Sequence, residues 1–280
     1  MKIVVLGSTG MLGSAVSKHM IEAYGEENVW LSIRNQKLIS EKQAMQKCHF
    51  IYLEIPLQEY TFYKIPQDAD YVINCIGIIK PFVEKVGILK TILINSVFPY
   101  QLEEYCSEKG INLIHITTDC VYSGKKGSYI ESDSHDCEDI YGKSKSLGEP
   151  TEWAMTLRTS IIGEELHNNA SLVEWAKSQR DKTVQGYFNH YWNGITTKQY
   201  AKVCQQIIDE NLYESGMFHI FSPARVNKFE LLKMVDRRFD LNLNILSVNA
   251  PQSIDRTLST EKFLNSILNI PLISEQIKEM

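Results

Sequence analysis

Through the first 160 residues, short apolar runs alternate with longer stretches whose apolar positions recur every three or four residues. The runs Lys2–Leu6, Asn28–Ile33, His49–Leu53, Tyr71–Ile76, Asn112–Thr117 and Met155–Thr159 predict strands. The stretches Met11–Tyr24, Gln36–Lys47, Leu89–Glu108 and Tyr141–Glu149 predict helices between them. Runs such as IVVL and YVINCI do not alternate with polar residues, as expected for strands buried on both faces. The pattern predicts an α/β fold: a doubly wound parallel sheet wrapped by helices. After Ser160 the periodicity loosens. Helices are expected over Leu172–Arg180, Thr197–Glu210, Lys228–Arg238 and Ser259–Leu268, and a strand near Met217–Phe221. Residues 1–160 therefore read as the sheet domain. Residues 161–280 read mainly as a smaller C-terminal lobe, with segments near 190–221 returning to the sheet.

The first predicted strand runs into Gly7, Ser8, Thr9, Gly10, Met11, Leu12 and Gly13, a GxxGxxG pattern that opens the first predicted helix. Small residues at a strand-to-helix joint let the backbone approach a pyrophosphate, and the helix N-terminus offers N–H groups and a positive dipole end. This reads as a Rossmann dinucleotide site, and residues 1–160 as its domain. A carboxylate at the end of the second strand would bind the ribose 2′-hydroxyl of NADH. The segment here, Leu31 to Asn35, has none. Ser32 and Arg34 suit a 2′-phosphate instead, so NADPH is expected over NADH. Glu54, ending the third strand, is a weaker candidate near the adenine.

Tyr141 and Lys145 follow a long polar loop and fall one helical turn apart. An ammonium beside a phenol favours the phenolate and brings the tyrosine towards neutral-pH proton transfer. YxxxK alone occurs often by chance. Here it follows a nucleotide signature and a strand end carrying Thr118, whose hydroxyl can bond a substrate oxygen.

Composition narrows the alternatives. Net charge is −5 and no basic run stands out, which argues against a nucleic-acid partner. The apolar run Ile3–Leu6 is too short for an export signal and no stretch approaches a membrane span, so a cytoplasmic protein without membrane contact is expected. The six cysteines form no CxxC pair and read as reduced thiols; the histidines show no zinc spacing, so no metal is expected. His115, inside the fifth strand, reads as a satisfied buried histidine.

The pieces GSTGMLG, VINCIG, INSVFPYQLEEYC, TTDCVYSG, YGKSKSLGE, LRTSIIG, GITTKQYA and DRTLSTEKF together resemble the extended short-chain dehydrogenase/reductases, and within them the dTDP-4-dehydrorhamnose reductase group, over nearly the whole chain. The resemblance implies a catalytic set of Thr118, Tyr141 and Lys145. It places Asn74, Cys75, Ile76, Gly77, Asn95 and Arg158 beside the cofactor, with the glycine loop, Tyr141 and Lys145. It places Asp119, Cys120, Thr159, Ser160 and Arg256 with Thr118 and Tyr141 beside a nucleotide-sugar substrate; Trp192 and Asn193, in the aromatic and polar stretch 186–194, read either as part of that pocket or as a lobe interface. The implied reaction is reduction of a keto group, at C4, of a nucleotide-linked 6-deoxy-hexulose by NADPH, in deoxysugar biosynthesis for surface polysaccharide. Cys120 and Ser123 depart from the Tyr and Asp usual in the group, and Pro150 predicts a short catalytic helix. Cys120 also stands where 4,6-dehydratases of the superfamily carry Glu, which disfavours dehydration. Two alternatives remain open. One is a non-catalytic NADP-binding regulatory subunit, like the β-subunit of methionine adenosyltransferase; the other is an epimerase or combined epimerase–reductase. Besides the nucleotide sugar, a second copy of the chain is the partner expected.

Overall fold

A computed structural model of the protein describes residues 1–34, 48–52, 62, 64–165 and 170–280. The first half forms β1 (Ile3–Leu6), α1 (Met11–Tyr24), β2 (Val29–Ile33), β3 (His49–Tyr52), β4 (Tyr71–Asn74), the short helices α2 (Val83–Val86) and α3 (Ile88–Ile92), a π-helical turn (Leu93–Val97), α4 (Phe98–Lys109), β5 (Asn112–Thr118) and α5 (Ile140–Ser146). The second half forms β6 (Met155–Thr159), β7 (Ile161–Ile162), α6 (Leu172–Ser178), β8 (Thr183–Tyr187), β9 (His190–Trp192), β10 (Ile195–Thr196), α7 (Thr197–Asp209), β11 (Gly216–His219), β12 (Val226–Asn227), α8 (Lys228–Phe239), β13 (Asn244–Val248), β14 (Ile254–Asp255), α9 (Leu264–Ile267) and α10 (Ile273–Lys278).

Seven strands make one parallel sheet in the order β11-β6-β5-β4-β1-β2-β3. The chain starts at β1, winds outward to β3, then returns to β4 on the other side, which is the reversal that defines a doubly wound sheet. Every residue of β1 and β4 is buried, as their unbroken apolar runs require. Behind the sheet, Val4, Leu6, Val72 and Leu113 pack with Phe98, Leu102 and Tyr105 of α4.

By contacts the chain divides into two units. The first comprises residues 1–117, 139–157 and 200–217; the second comprises 118–138, 158–199 and 218–280. The expectation set the boundary at residue 160 with segments near 190–221 returning to the sheet; by contacts residues 200–217 group with the first unit and residues 118–138 with the second. Among the described residues, the second unit carries three small sheets (β12-β9-β14, β13-β8 and β10-β7) and a core in which Leu231, Leu232 and Val235 of α8 meet Val173, Ala176, Ile273 and Ile277.

Two expected helices differ. Leu89–Glu108 is helical throughout but not α-helical throughout: it runs as α3, the π-turn and α4. Pro99 has no N–H to offer the Asn95 carbonyl one turn back, so the α-helical ladder breaks there. Ser259–Leu268 shrinks to Leu264–Ile267. Tertiary bonds hold its first half extended: Ser259 N–H donates to Tyr129 O, and the Thr260 hydroxyl donates to Glu131. The expected helix Gln36–Lys47 and the Glu54 candidate lie outside the described residues.

Candidate active site

Gly7 closes the turn after β1 with a positive φ of 81°, and its missing side chain leaves room for Cys75 and Ile76 at the end of β4. Gly13 is tighter: a Cβ there would lie 2.0 Å from the Gly7 carbonyl oxygen, so α1 crosses the turn only as glycine. Gly10 caps α1, has no side chain to take an N–H, and the first helical turn carries no acid. Those N–H groups can face an anion, so the loop Gly7–Gly13, with Thr9 and Met11 half-buried on it and Leu12 buried, fits a dinucleotide pyrophosphate. Ser32 serves the protein rather than a ligand. Its hydroxyl accepts from Gly7 N–H at 2.7 Å, its carbonyl accepts from the Ser8 hydroxyl, and it is 3% exposed. Arg34, at the end of β2, is exposed.

Asn74 ends β4 with its carbonyl oxygen accepting from Ile76 N–H and its amide donating to His115 Nδ1 at 3.0 Å. An amide nitrogen only donates, so Nδ1 accepts, and Nε2 carries the proton that goes to Gly148 O at 3.1 Å. His115 is thus a neutral, satisfied core histidine. Burial, then the neighbouring Lys145 charge, holds it well below the usual range.

Asn95 sits in the π-turn, 1% exposed, and uses its whole amide. The oxygen accepts from Ile78 N–H, while the nitrogen donates to Ile78 O and Ser144 Oγ. Ser96 donates to Ser144 O. The two residues clamp the loop after β4 to α5. Gly77 leaves the gap between them: a Cβ there would lie 3.5 Å from Asn95 Oδ1 and 3.8 Å from Lys145 Nζ.

Asp139 starts α5, accepting from Gly142 N–H at 3.0 Å and from Lys80 Nζ at 2.9 Å. Tyr141 follows in the first turn and borders a groove of about 520 Å³ lined by Lys80, Val83, Glu84, Ile88 and Ile140. Lys145, 5% exposed, donates to Ile116 O at 3.1 Å. Burial pushes its ammonium down to about 8, against an opposing pull from Glu149. Glu149 accepts from Thr117 Oγ1 at 2.8 Å.

In the second unit, Thr118 Oγ1 accepts from Cys120 N–H and donates to Asp119 Oδ1 at 3.2 Å. Burial pushes the Asp119 carboxyl up, while Arg256 and Lys228 pull it down. Burial pushes the Cys120 thiol to about 12, so it stays protonated. Arg256 Nε donates to Tyr122 O. Lys228, absent from the expected site residues, is half-buried with its ammonium 5.4 Å from the Trp192 ring.

Four residues expected at ligands turn inward here. Arg158 gives Nη1 to Tyr122 Oη and His219 Nε2, and Nη2 to His135 Nε2. Trp192 is 4% exposed in the unit's core. Asn193 pairs both ways with the Leu258 backbone at 2.8 Å, like one rung of a ladder. Thr159 is 2% exposed and bonds Ser160 O, leaving Ser160 half-buried. Their positions at strand ends were legible; the direction of their side chains was not.

The sequence pattern of the RmlD substrate-binding domain matches residues 1–278. The chain belongs to this family. It is a family of NAD(P)-dependent sugar-nucleotide oxidoreductases. The spore coat polysaccharide biosynthesis protein SpsK of Bacillus subtilis is 24% identical over 91% of this chain and 86% of its own. The methionine adenosyltransferase 2 subunit beta of Xenopus tropicalis is 24% identical over 86% of this chain and 72% of its own. Among solved structures, dTDP-4-dehydrorhamnose reductase from Bacillus anthracis, in complex with NADP, superposes with a TM-score of 0.74 at 18% identity, covering 99% of this chain and 97% of that one. That likeness shows the fold. No described helix is long and apolar enough to cross a membrane.

Proposed function

We propose that the protein reduces a keto group, at C4, of a nucleotide-linked 6-deoxy-hexulose with NADPH, in the making of a surface polysaccharide. The observation that carries this reading is the buried Lys145 one turn after Tyr141, on a helix clamped by Asn95 to the loop beyond β4. A lysine placed where burial strips its hydration needs a chemical reason, and tuning a phenol one turn away is such a reason. The family, the SpsK likeness and the reductase fold support the substrate class.

NADPH, when bound, supplies the hydride. Its pyrophosphate would lie on the Gly7–Gly13 loop and the α1 N-terminus, its 2′-phosphate against Arg34, and its nicotinamide ribose against Lys145. Tyr141 donates its phenolic proton to the alkoxide developing on the keto oxygen. Lys145 stabilises the phenolate left behind, and its Ile116 bond fixes the direction of the ammonium. Thr118 would offer its hydroxyl to the same oxygen, taking that proton away from the long bond to Asp119.

The test is oxidation of NADPH with a panel of nucleotide-linked 4-keto-6-deoxy sugars, followed by product analysis. Turnover with one of them supports the reading. Tight NADPH binding without turnover of any sugar favours a second reading, a regulatory NADP-binding subunit, which the likeness to methionine adenosyltransferase 2 subunit beta supports. Solvent deuterium entering C3 or C5 would add epimerisation.

A further inference from the structure

Glu149 is a buried carboxylate that the chemistry above does not use. It is 9% exposed and lies four residues after Lys145, just beyond the end of α5. Its Oε1 accepts from Thr117 Oγ1 at 2.8 Å, while the Lys145 amine donates to Ile116 O at 3.1 Å. Acid and amine are thus anchored to consecutive residues of β5. The backbone around Glu149 is equally fixed: Gly148 gives its carbonyl to His115 Nε2 and leaves no room for a side chain against Asn95. A carboxylate so far from water costs stability unless a cation balances it.

Other groups lie beside this pair. His115, from β5, is neutral and its ring nitrogens are committed. Tyr100, from α4, is pushed up by burial and by Glu103, Glu149 and Glu152, so it stays protonated. Asn95 and Ser144 carry no charge, and Tyr141 shares the helix.

From this geometry we propose that Glu149 is a positioning residue: its carboxylate, anchored on Thr117, favours the protonated Lys145 amine and helps direct it. The proposal rests on the reading of Lys145 as the partner of Tyr141. The physical sense is direct. Burial disfavours the charged form of Lys145, and the Glu149 carboxylate is the opposite charge that pulls the other way.

The experiment follows the Lys145 side-chain resonance of lysine-labelled protein through a pH titration, in wild type, Glu149→Gln, Glu149→Asp and Thr117→Val. The Gln variant should titrate about one pH unit lower, as expected for loss of one nearby opposite charge. Asp should restore part of the shift, and Thr117→Val should move it in the same direction by less. NADPH affinity should fall in the Gln variant at pH 8 and stay close to wild type at pH 6.5, where Lys145 is charged in both. An unchanged Lys145 midpoint in Glu149→Gln would overturn the proposal, as would affinity lost equally at both pH values. Should the Gln variant not fold, an unchanged midpoint in Thr117→Val and Glu149→Asp overturns it equally. The resonance requires no substrate, so failure of the reductase reading would appear separately, as absent turnover beside an intact titration shift.

Discussion

Gly148 and Asn95 meet so closely that a Cβ on Gly148 would lie 1.7 Å from the Asn95 carbonyl oxygen. That carbonyl lacks the helical N–H partner Pro99 would otherwise supply, so the π-turn and the end of α5 share one tight seam. Gly148→Ala must push the two segments apart. The expected loss of stability is about 2–3 kcal/mol, typical of overpacking against atoms that cannot yield. Chemical denaturation measures it, and a variant as stable as wild type would contradict the seam.

Tyr141→Phe keeps the ring in the first turn of α5 and removes only the phenolic hydroxyl. Turnover should fall by roughly 10²–10⁴-fold, the usual contribution of a positioned acid, while NADPH affinity changes little. Steady-state kinetics and cofactor titration check the two halves separately. Near-normal turnover would remove Tyr141 from the reaction.

The sequence was legible where burial is two-sided or a motif fixes the backbone. The expected α1 boundaries, Met11 to Tyr24, are those observed, because glycines bound the helix at both ends and its apolar positions keep helical spacing. The sheet strands were legible because parallel strands buried on both faces carry unbroken apolar runs. The shortest strands of the second unit escaped notice, since segments of two or three residues such as β7, β10 and β12 have no periodicity to read; the five-residue β8 and β13 were missed as well. Side-chain direction at strand ends was equally hidden: nothing in LRTS tells that Arg158 points at His219 and His135. Glu149 did leave a signal, an acid one turn after Lys145 on the predicted catalytic helix.

Arg34 and Ser32 were expected to share one job, and the structure separates them. Arg34→Ala should weaken NADPH by about tenfold or more, the value of one charge-assisted hydrogen bond, with little effect on NADH. Ser32→Ala should leave the NADPH preference alone and cost about 1–3 kcal/mol of stability, because Gly7 N–H loses its acceptor. Titration of each variant with both dinucleotides distinguishes the roles. An Arg34 variant with unchanged preference would move the 2′-phosphate elsewhere.

His219 makes a pH prediction whose sign the geometry fixes. Its Nε2 accepts from Arg158, so Nδ1 carries the proton and donates to Ser259 O at 2.7 Å. Burial first, and Arg158 next, push the imidazole down to about 4, with Glu131 pulling the other way. Between pH 6.5 and 4 the unfolded chain binds a proton that the folded one refuses. Stability therefore falls as pH falls through that window, by about 3 kcal/mol from this group alone. His115, also held neutral by burial, adds a loss of the same sign. Asp119 opposes them, since burial raises its carboxyl and folding then favours the protonated form. His219→Gln keeps an acceptor for Arg158 but cannot take up the proton on unfolding. Denaturation curves between pH 7 and 4 should show the variant losing less stability than wild type, and parallel losses in the two proteins would show that His219 is not held neutral.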